Sequence, residues 1–392
     1  MMSSVPGNRG PDEAGNRTGR ALVIPSAGWG SLGDLAMMNG ALSTLRAIGI
    51  ASVDLAISAP EDRNAAPFDD FIDGLDWFRI GNLSSQERLL ERLGRYSHVF
   101  LIGADCIDGS YSPSSIIRRV ELVAEAIKLG NCGRILGASF KENADALCLE
   151  ALRKFPASGK LFARDPVSHR RMERLIGRSI TQAADVAFLC PSDPLHSISA
   201  PLLQWIADQR REGRRVVALN VNAFLGRTIG DFAVAHHQIL MRLLQNDVSV
   251  ILTPSDTRRK QNDEYFLRLA SGDLGGRAAQ AIQWLPALHP SATKAVLGAV
   301  DLLITSRMHA AILAAGAGRP ALCFVYQGKF EGLYELLGLD QRSLLFNPAD
   351  LVENPAAMAE QVMTALVHAE AHAAIISRSL PRVRELAMRN FS

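Results

Sequence analysis

The stretch 299–338, AVDLLITSRMHAAILAAGAGRPALCFVYQGKFEGLYELLG, constrains the fold more than any other part of the chain. Residues 300–304 form a short apolar run. The polar knot Thr305-Ser306-Arg307-Met308-His309 follows, then an Ala-rich segment of helical composition and a second apolar run over 321–325. Buried strand, helix and buried strand in that order make one βαβ unit, which demands a parallel sheet covered on both faces. The unit sets Arg307 and His309 where its first strand ends and its helix begins. Ligands of open α/β sheets collect at that place, because free N–H groups and the helix dipole favour an anion. Arginine adds a bidentate grip on phosphate or carboxylate. Histidine can move a proton near neutral pH, although a lone histidine at a helix start can equally be structural.

The same alternation runs through the rest of the chain. Strand signals stand at 21–25, 52–58, 98–102 and 134–137, with helical segments over 35–48, 84–94, 114–129 and 143–155. Residues 160–163 and 185–189 read as two further short extended pieces. The segment 190–201, CPSDPLHSISAP, lacks periodicity and carries three prolines, so it marks a break. A second series follows: helix 202–211, strand 216–220, helix 232–246, strand 249–253, helix 263–271, strand 282–285, helix 291–298, and then the βαβ unit. The fold class is α/β, with two Rossmann-like domains facing across a cleft, over 20–198 and 199–354. Residues 1–19, rich in Gly, Pro, Asn and Ser, read as a disordered tail. Residues 355–392 read as a helical extension that packs back across the groove.

Two domains suit a chain of 392 residues, since single cores stop growing near ~250–300. A net charge of +2 with mixed signs argues against a nucleic-acid surface, which needs a concentrated basic face. The five cysteines are scattered with no CxxC pair, which favours neither a zinc site nor a disulfide framework and points to a reducing cytoplasm. No apolar run approaches the ~18 residues of a membrane span. No HExxH or DxD motif is present, and the adjacent His236 and His237 would not share a helix face, so no metal is expected.

Other local signals are weaker. Gly28, Gly30 and Gly33 have the G-x-G-x-x-G spacing between a strand and a helix. A dinucleotide site would also need an acid at the end of the second strand, and Glu61 and Asp62 sit in a polar loop. The competing reading is a tight turn with Asp34 capping the helix. Arg164 could clamp an anion or pair with Asp165, which is placed to cap the helix that begins at Pro166. Thr253-Pro254-Ser255-Asp256 could touch a substrate or cap the next segment. Lys329, past the next strand, should emerge on the same rim as Arg307, or be an exposed loop lysine.

Taken in order, these pieces resemble the polysaccharide pyruvyl transferase family. GSLGD (30–34) resembles its Asn-x-Gly-Asp turn, ARDPVS (163–168) its Arg-Asp-x-x-Ser segment, and DVAFL (185–189) its Asp-x-x-Phe strand. SRMHAAILAAGAGRPALCFVY (306–326) is similar to its Ser-x-Arg-x-His helix and following strand, and QGKFEGLYELLGL (327–339) to its Lys-centred loop. Ser31 stands where the family commonly has Asn, and Ala104-Asp105 interrupts what is often a Gly-rich run. The resemblance implies a glycosyltransferase-B-like pair of domains, with the acceptor on the first and the donor on the second. It implies transfer of a pyruvyl group from phosphoenolpyruvate to two hydroxyls of a sugar, as a ketal, with no nucleotide cofactor. Arg164, Arg307 and Lys329 would bind phosphoenolpyruvate and His309 would be the acid/base residue. Gly30, Ser31, Asp34, Asp105 and Ser306 would face the acceptor or the cleft. The acceptor would be a lipid-linked oligosaccharide, a polysaccharide or a glycoside, reached from the cytoplasm or the inner face of the membrane. Two rivals share these residues: a nucleotide-sugar glycosyltransferase or epimerase of the same fold, and a non-catalytic sugar- or anion-binding protein.

Overall fold

The computed structural model describes residues 19–28, 30–56, 83–259, 262–272, 274–326 and 328–392. Apart from Gly19, the tail expected over 1–19 lies outside them, as do the far end of the 52–58 reading and the loop holding Glu61 and Asp62.

The first sheet holds β1 (Arg20–Ile24), β2 (Ser52–Leu55), β3 (His98–Ala104), β4 (Cys132–Ala138), β5 (Lys160–Ala163) and β6 (Thr181–Gln182) in the order β2-β1-β3-β4-β5-β6. The second holds β7 (Arg215–Leu219), β8 (Val248–Leu252), β9 (Ile282–Trp284), β10 (Leu302–Thr305), β11 (Ala321–Phe324) and β12 (Leu345–Phe346) in the order β12-β11-β10-β7-β8-β9. Every pairing is parallel. The strands are buried runs with helices on both faces, because a parallel sheet has no face to spare for water. Each order reverses direction once, between β1 and β3 in one sheet and between β7 and β10 in the other. A crevice opens at such a switch point, outside the strands' carboxyl ends.

The segment 185–189 corrects the extended reading. Asp185 accepts a hydrogen bond from the Ala187 N–H at 2.8 Å and starts a 3₁₀ turn, Val186–Leu189. An Asp side chain that satisfies the backbone two residues on competes with strand geometry. The helix Leu32–Ala47 lies against this turn, and Gly40 is where they meet: a Cβ there would run into the Val186 carbonyl. The cap of that helix is Ser31 and not Asp34, which is already inside the first turn.

The helix Ala369–Met388 crosses back from the second sheet to the first, as expected of a returning extension. It packs on the helices Met308–Gly316 and Phe330–Leu337 and on the 3₁₀ turn. Beyond it, fully buried Asn390 accepts from the Gly137 N–H at 2.7 Å and donates to the Ala184 carbonyl at 3.0 Å. The Arg134 guanidinium donates to the Asn390 carbonyl at 3.1 Å. No helix among the described residues is long and apolar enough to cross a membrane.

Candidate active site

The two switch points face each other across a cavity of about 520 Å³. From the first domain its wall includes Ser31, Asp34 and Asp105, and from the second Arg258, Arg307, His309 and Lys329. Arg307 is the N-cap residue of the Met308–Gly316 helix, with extended backbone, and its N–H bonds the Thr305 hydroxyl at 2.9 Å. Its guanidinium grips both oxygens of fully buried Asp263, at 3.1 and 2.5 Å, and lies 3.6 Å from Asp256. Burial works against that charge, but Asp263 outweighs it and holds the guanidinium pKa above its ordinary value. Asp256 in turn takes a two-point grip from Arg258, at 3.0 and 2.5 Å. The acids thus sit behind the wall and the cations in front of it. The lining shows Arg119, Arg258, Arg307 and Lys329 against Asp34 and Asp105, which suits an anionic ligand.

His309 lies with its Nε2 3.5 Å from Asp185 and 3.4 Å from the Arg164 guanidinium. The other edge of its ring rests on Gly33, where a Cβ would overlap Nδ1. A glycine at the second position of the helix Leu32–Ala47 is therefore required by the histidine across the cleft. Arg164 is 1% exposed. It donates to Asp185 at 2.8 Å, to the Ser139 hydroxyl at 2.6 Å and to the Met308 sulfur at 3.3 Å. This corrects the expectation of a direct anion clamp: the guanidinium is used up behind His309 and does not line the cavity. Burial would push the Asp185 carboxyl up, but the Arg164 charge and then His309 pull it down to about 2.

Lys329 donates to Asp105 at 2.7 Å and lies over the Tyr326 ring, 5.2 Å from its centre. Asp105 also accepts from the Tyr111 hydroxyl at 3.0 Å. Burial opposes the charge on Asp105, yet Lys329 and Arg164 hold its carboxyl well below the usual range. Asp105 is aimed inward by Ala104, whose φ of 49° is left-handed. The position that departs from the family's glycine run thus keeps a glycine-like conformation, at a strain of roughly 1–2 kcal/mol.

Two expected cleft residues stand off the cavity. Gly30 has a φ of 106° and its carbonyl accepts from the Thr257 N–H at 2.8 Å. With the Ser31–Asp256 bridge and the Leu32 N–H on the Ser255 carbonyl at 2.8 Å, this turn ties the two domains together. That role replaces both the acceptor contact assigned to Gly30 and the dinucleotide reading of the glycines. Ser306 is fully buried behind the wall, its carbonyl taking a bond from Asn222 at 3.3 Å. Sequence reasoning assigned no role to Asp185, Arg258 or Asp263. The DVAFL segment offered a signal for Asp185; Arg258 and Asp263 were marked only by their nearness to the turn-like 253–256 segment.

Facing switch points, each closed by helix N-termini around an ionised cavity, define a two-domain α/β protein of glycosyltransferase-B-like architecture. Solved structures of that architecture share the fold at low identity. They include a Staphylococcus aureus MnaA–UDP complex (TM-score 0.58, 11% identity, 92% of this chain and 91% of that one). A UDP-GlcNAc 2-epimerase from Neisseria meningitidis bound to UDP-GlcNAc follows (0.57, 10%, 94% and 98%), with a glycosyltransferase from Rickettsia africae (0.53, 11%, 96% and 95%). Within that architecture the chain belongs to the polysaccharide pyruvyl transferase family, whose model matches residues 32–328. A curated relative, the amylovoran biosynthesis protein AmsJ of Erwinia amylovora, is 20% identical over 265 residues, which are 65% of this chain and 63% of that protein.

Proposed function

We propose that this protein moves a pyruvyl group from phosphoenolpyruvate onto two hydroxyls of one sugar, forming a cyclic ketal during exopolysaccharide assembly. The carrying observation is the placement of Arg307, Lys329 and His309 in one cavity at the meeting of two switch points. The donor bears a phosphate and a carboxylate, which Arg307, Arg258 and Lys329 face. Their carboxylate partners sit behind or beside them and fix their direction before the ligand arrives, which is the preorganisation an ionic transition state needs. Protonation of the donor's methylene carbon leaves a cationic C2, one sugar hydroxyl adds there, phosphate departs, and a second hydroxyl closes the ring. His309 gives and takes a proton in that sequence, and Arg164 with Asp185 positions its ring. Ser31 and Asp105 face the acceptor, and Asp34 faces the cleft that donor and acceptor share. The amylovoran relative and the family's name support a saccharide acceptor.

Thermal unfolding with phosphoenolpyruvate, and separately with nucleotide sugars, tests this. A ligand at 100 times its Kd stabilises the folded state by about 2.7 kcal/mol. The expected result is a raised midpoint with phosphoenolpyruvate that vanishes in Arg307→Ala and persists in His309→Ala, whose kcat falls roughly 100- to 10,000-fold. Stabilisation by a nucleotide sugar alone would replace this reading with that of a nucleotide-sugar enzyme.

A further inference from the structure

Pyruvyl transfer moves two protons. Both leave the sugar's hydroxyls; one becomes the third hydrogen of the ketal methyl group and the other departs on phosphate. A site with a single proton carrier beside the donor must serve two atoms on different sides of C2. Among the described residues the cavity is lined by two carboxylates besides His309, and they are not equivalent. Asp105 is bound by the Lys329 ammonium at 2.7 Å and the Tyr111 hydroxyl at 3.0 Å, which fix it as an anion. Asp34 takes the Ser26 hydroxyl at 2.7 Å on one oxygen, and no described residue donates to the other. It sits on the cavity wall in the first turn of the Leu32–Ala47 helix, next to the glycine on which the His309 ring rests.

We propose that Asp34 is the acid that protonates the methylene carbon of the enolpyruvyl donor, with His309 as its counterpart across the cavity. This rests on the pyruvyl-transfer reading above. Protonated Asp34 gives its proton to C3 and neutral His309 takes the proton of the first attacking hydroxyl. The imidazolium then protonates the departing phosphate as the C2–O bond to phosphorus's oxygen breaks. The second hydroxyl adds to C2 and its proton returns to Asp34, so both carriers end as they began. The environment of Asp34 agrees: burial raises its pKa, and the lowering influences of the Ser26 hydroxyl, Arg258 and His309 do not cancel that. Asp105 adds to the rise, Arg119 and the Cys106 thiol also face the group, and a bound donor brings further negative charge. The two carboxylates of the cavity are thus pushed in opposite directions, Asp105 toward a fixed anion and Asp34 toward a group that can carry a proton.

The test titrates phosphoenolpyruvate into the full chain by calorimetry, in buffers of different ionisation enthalpy, from about pH 5 to 8, a range that covers the ordinary histidine pKa. Wild type is expected to take up more protons on binding than Asp34→Asn, by up to one. Equal uptake in both overturns the proposal, since the protons then belong to His309 or to the ligand's phosphate. Ser26→Ala checks this in a chain that keeps the acid: loss of the hydroxyl moves the uptake to higher pH, and an unmoved profile overturns it. In transfer assays on glycosides offering a diol, Asp34→Asn is expected to lose about 100-fold or more of kcat while its midpoint shift with phosphoenolpyruvate stays. Full turnover in that variant also overturns the proposal. Wild type that phosphoenolpyruvate does not stabilise fails the underlying reading instead, and this inference with it.

Discussion

On the second-domain wall, one buried carboxylate organises everything around it. Asp263 receives the Asn220 amide at 3.1 Å, the Ala223 N–H at 2.9 Å, the Ser255 N–H at 3.1 Å and the Arg307 guanidinium. On the first-domain wall, Asp34 takes one hydroxyl, Asp105 is held by side chains that reach in from the rim, and Tyr111 is 61% exposed. The first arrangement fixes one geometry; the second leaves room to adjust. A small, invariant anion suits a rigid wall, because preorganised charge loses nothing to rearrangement. A saccharide acceptor suits a wall that offers carboxylates and the exposed Tyr111 hydroxyl as hydrogen-bond partners.

Removing the organiser should break the contrast most sharply. Asp263→Ala takes from the largely buried Arg307 its nearest carboxylate and from the Ala223 and Ser255 N–H groups their acceptor, and is expected to cost about 3–5 kcal/mol, read from the denaturant midpoint. Asp105→Asn should cost less stability, because one of its two partners, Tyr111, is exposed to water and the amide oxygen still accepts from Lys329; it is expected to raise acceptor KM more than it weakens donor binding. A loss as large as that of Asp263→Ala would show that both walls are equally rigid.

The pH dependence sharpens the comparison further. Asp185 has its folded pKa depressed to about 2, so its contribution is present above its unfolded value and is lost as pH falls through about 2. Asp34 has its folded pKa raised from 3.8, so its charged form is a burden that disappears as pH falls below that value. Asp34→Asn is therefore expected to raise the unfolding midpoint near pH 7 and to match wild type in acid, checked by melts across pH. The smallest effect is expected at Ala104→Gly. Relief of the left-handed strain opposes the added freedom of the unfolded chain, and stability should change by less than about 1 kcal/mol, measured by denaturant unfolding.

Much of this was legible in local pattern. The polar knot of 305–309 between two apolar runs gave the strand end, the helix start and the cavity-facing Arg307 and His309 in one stroke. The break after Cys190 and the alternation on both sides gave two parallel sheets. What local pattern cannot carry is direction over distance. Arg164 looks like a strand-end clamp until Asp185, a turn later in the fold, takes its charge inward. The turn at Gly30 looks like a phosphate cradle until the loop after β8 pairs with it. Asp263 is an ordinary first-turn acid in sequence, and its importance arises because β7, β8 and β10 end together. Each miss is a long-range partner converting a locally plausible ligand group into a structural one, or the reverse.

The return of Asn390 to the first sheet has a consequence for synthesis on the ribosome. The Gly137 N–H waits for an acceptor that lies 253 residues downstream, and the Ala184 carbonyl waits for the same side chain. Until residue 390 is made, neither group can have the partner it takes in the folded protein, so these hydrogen bonds form only after the entire second domain has been synthesised. The final locking of the first domain is thus timed by the completion of its neighbour.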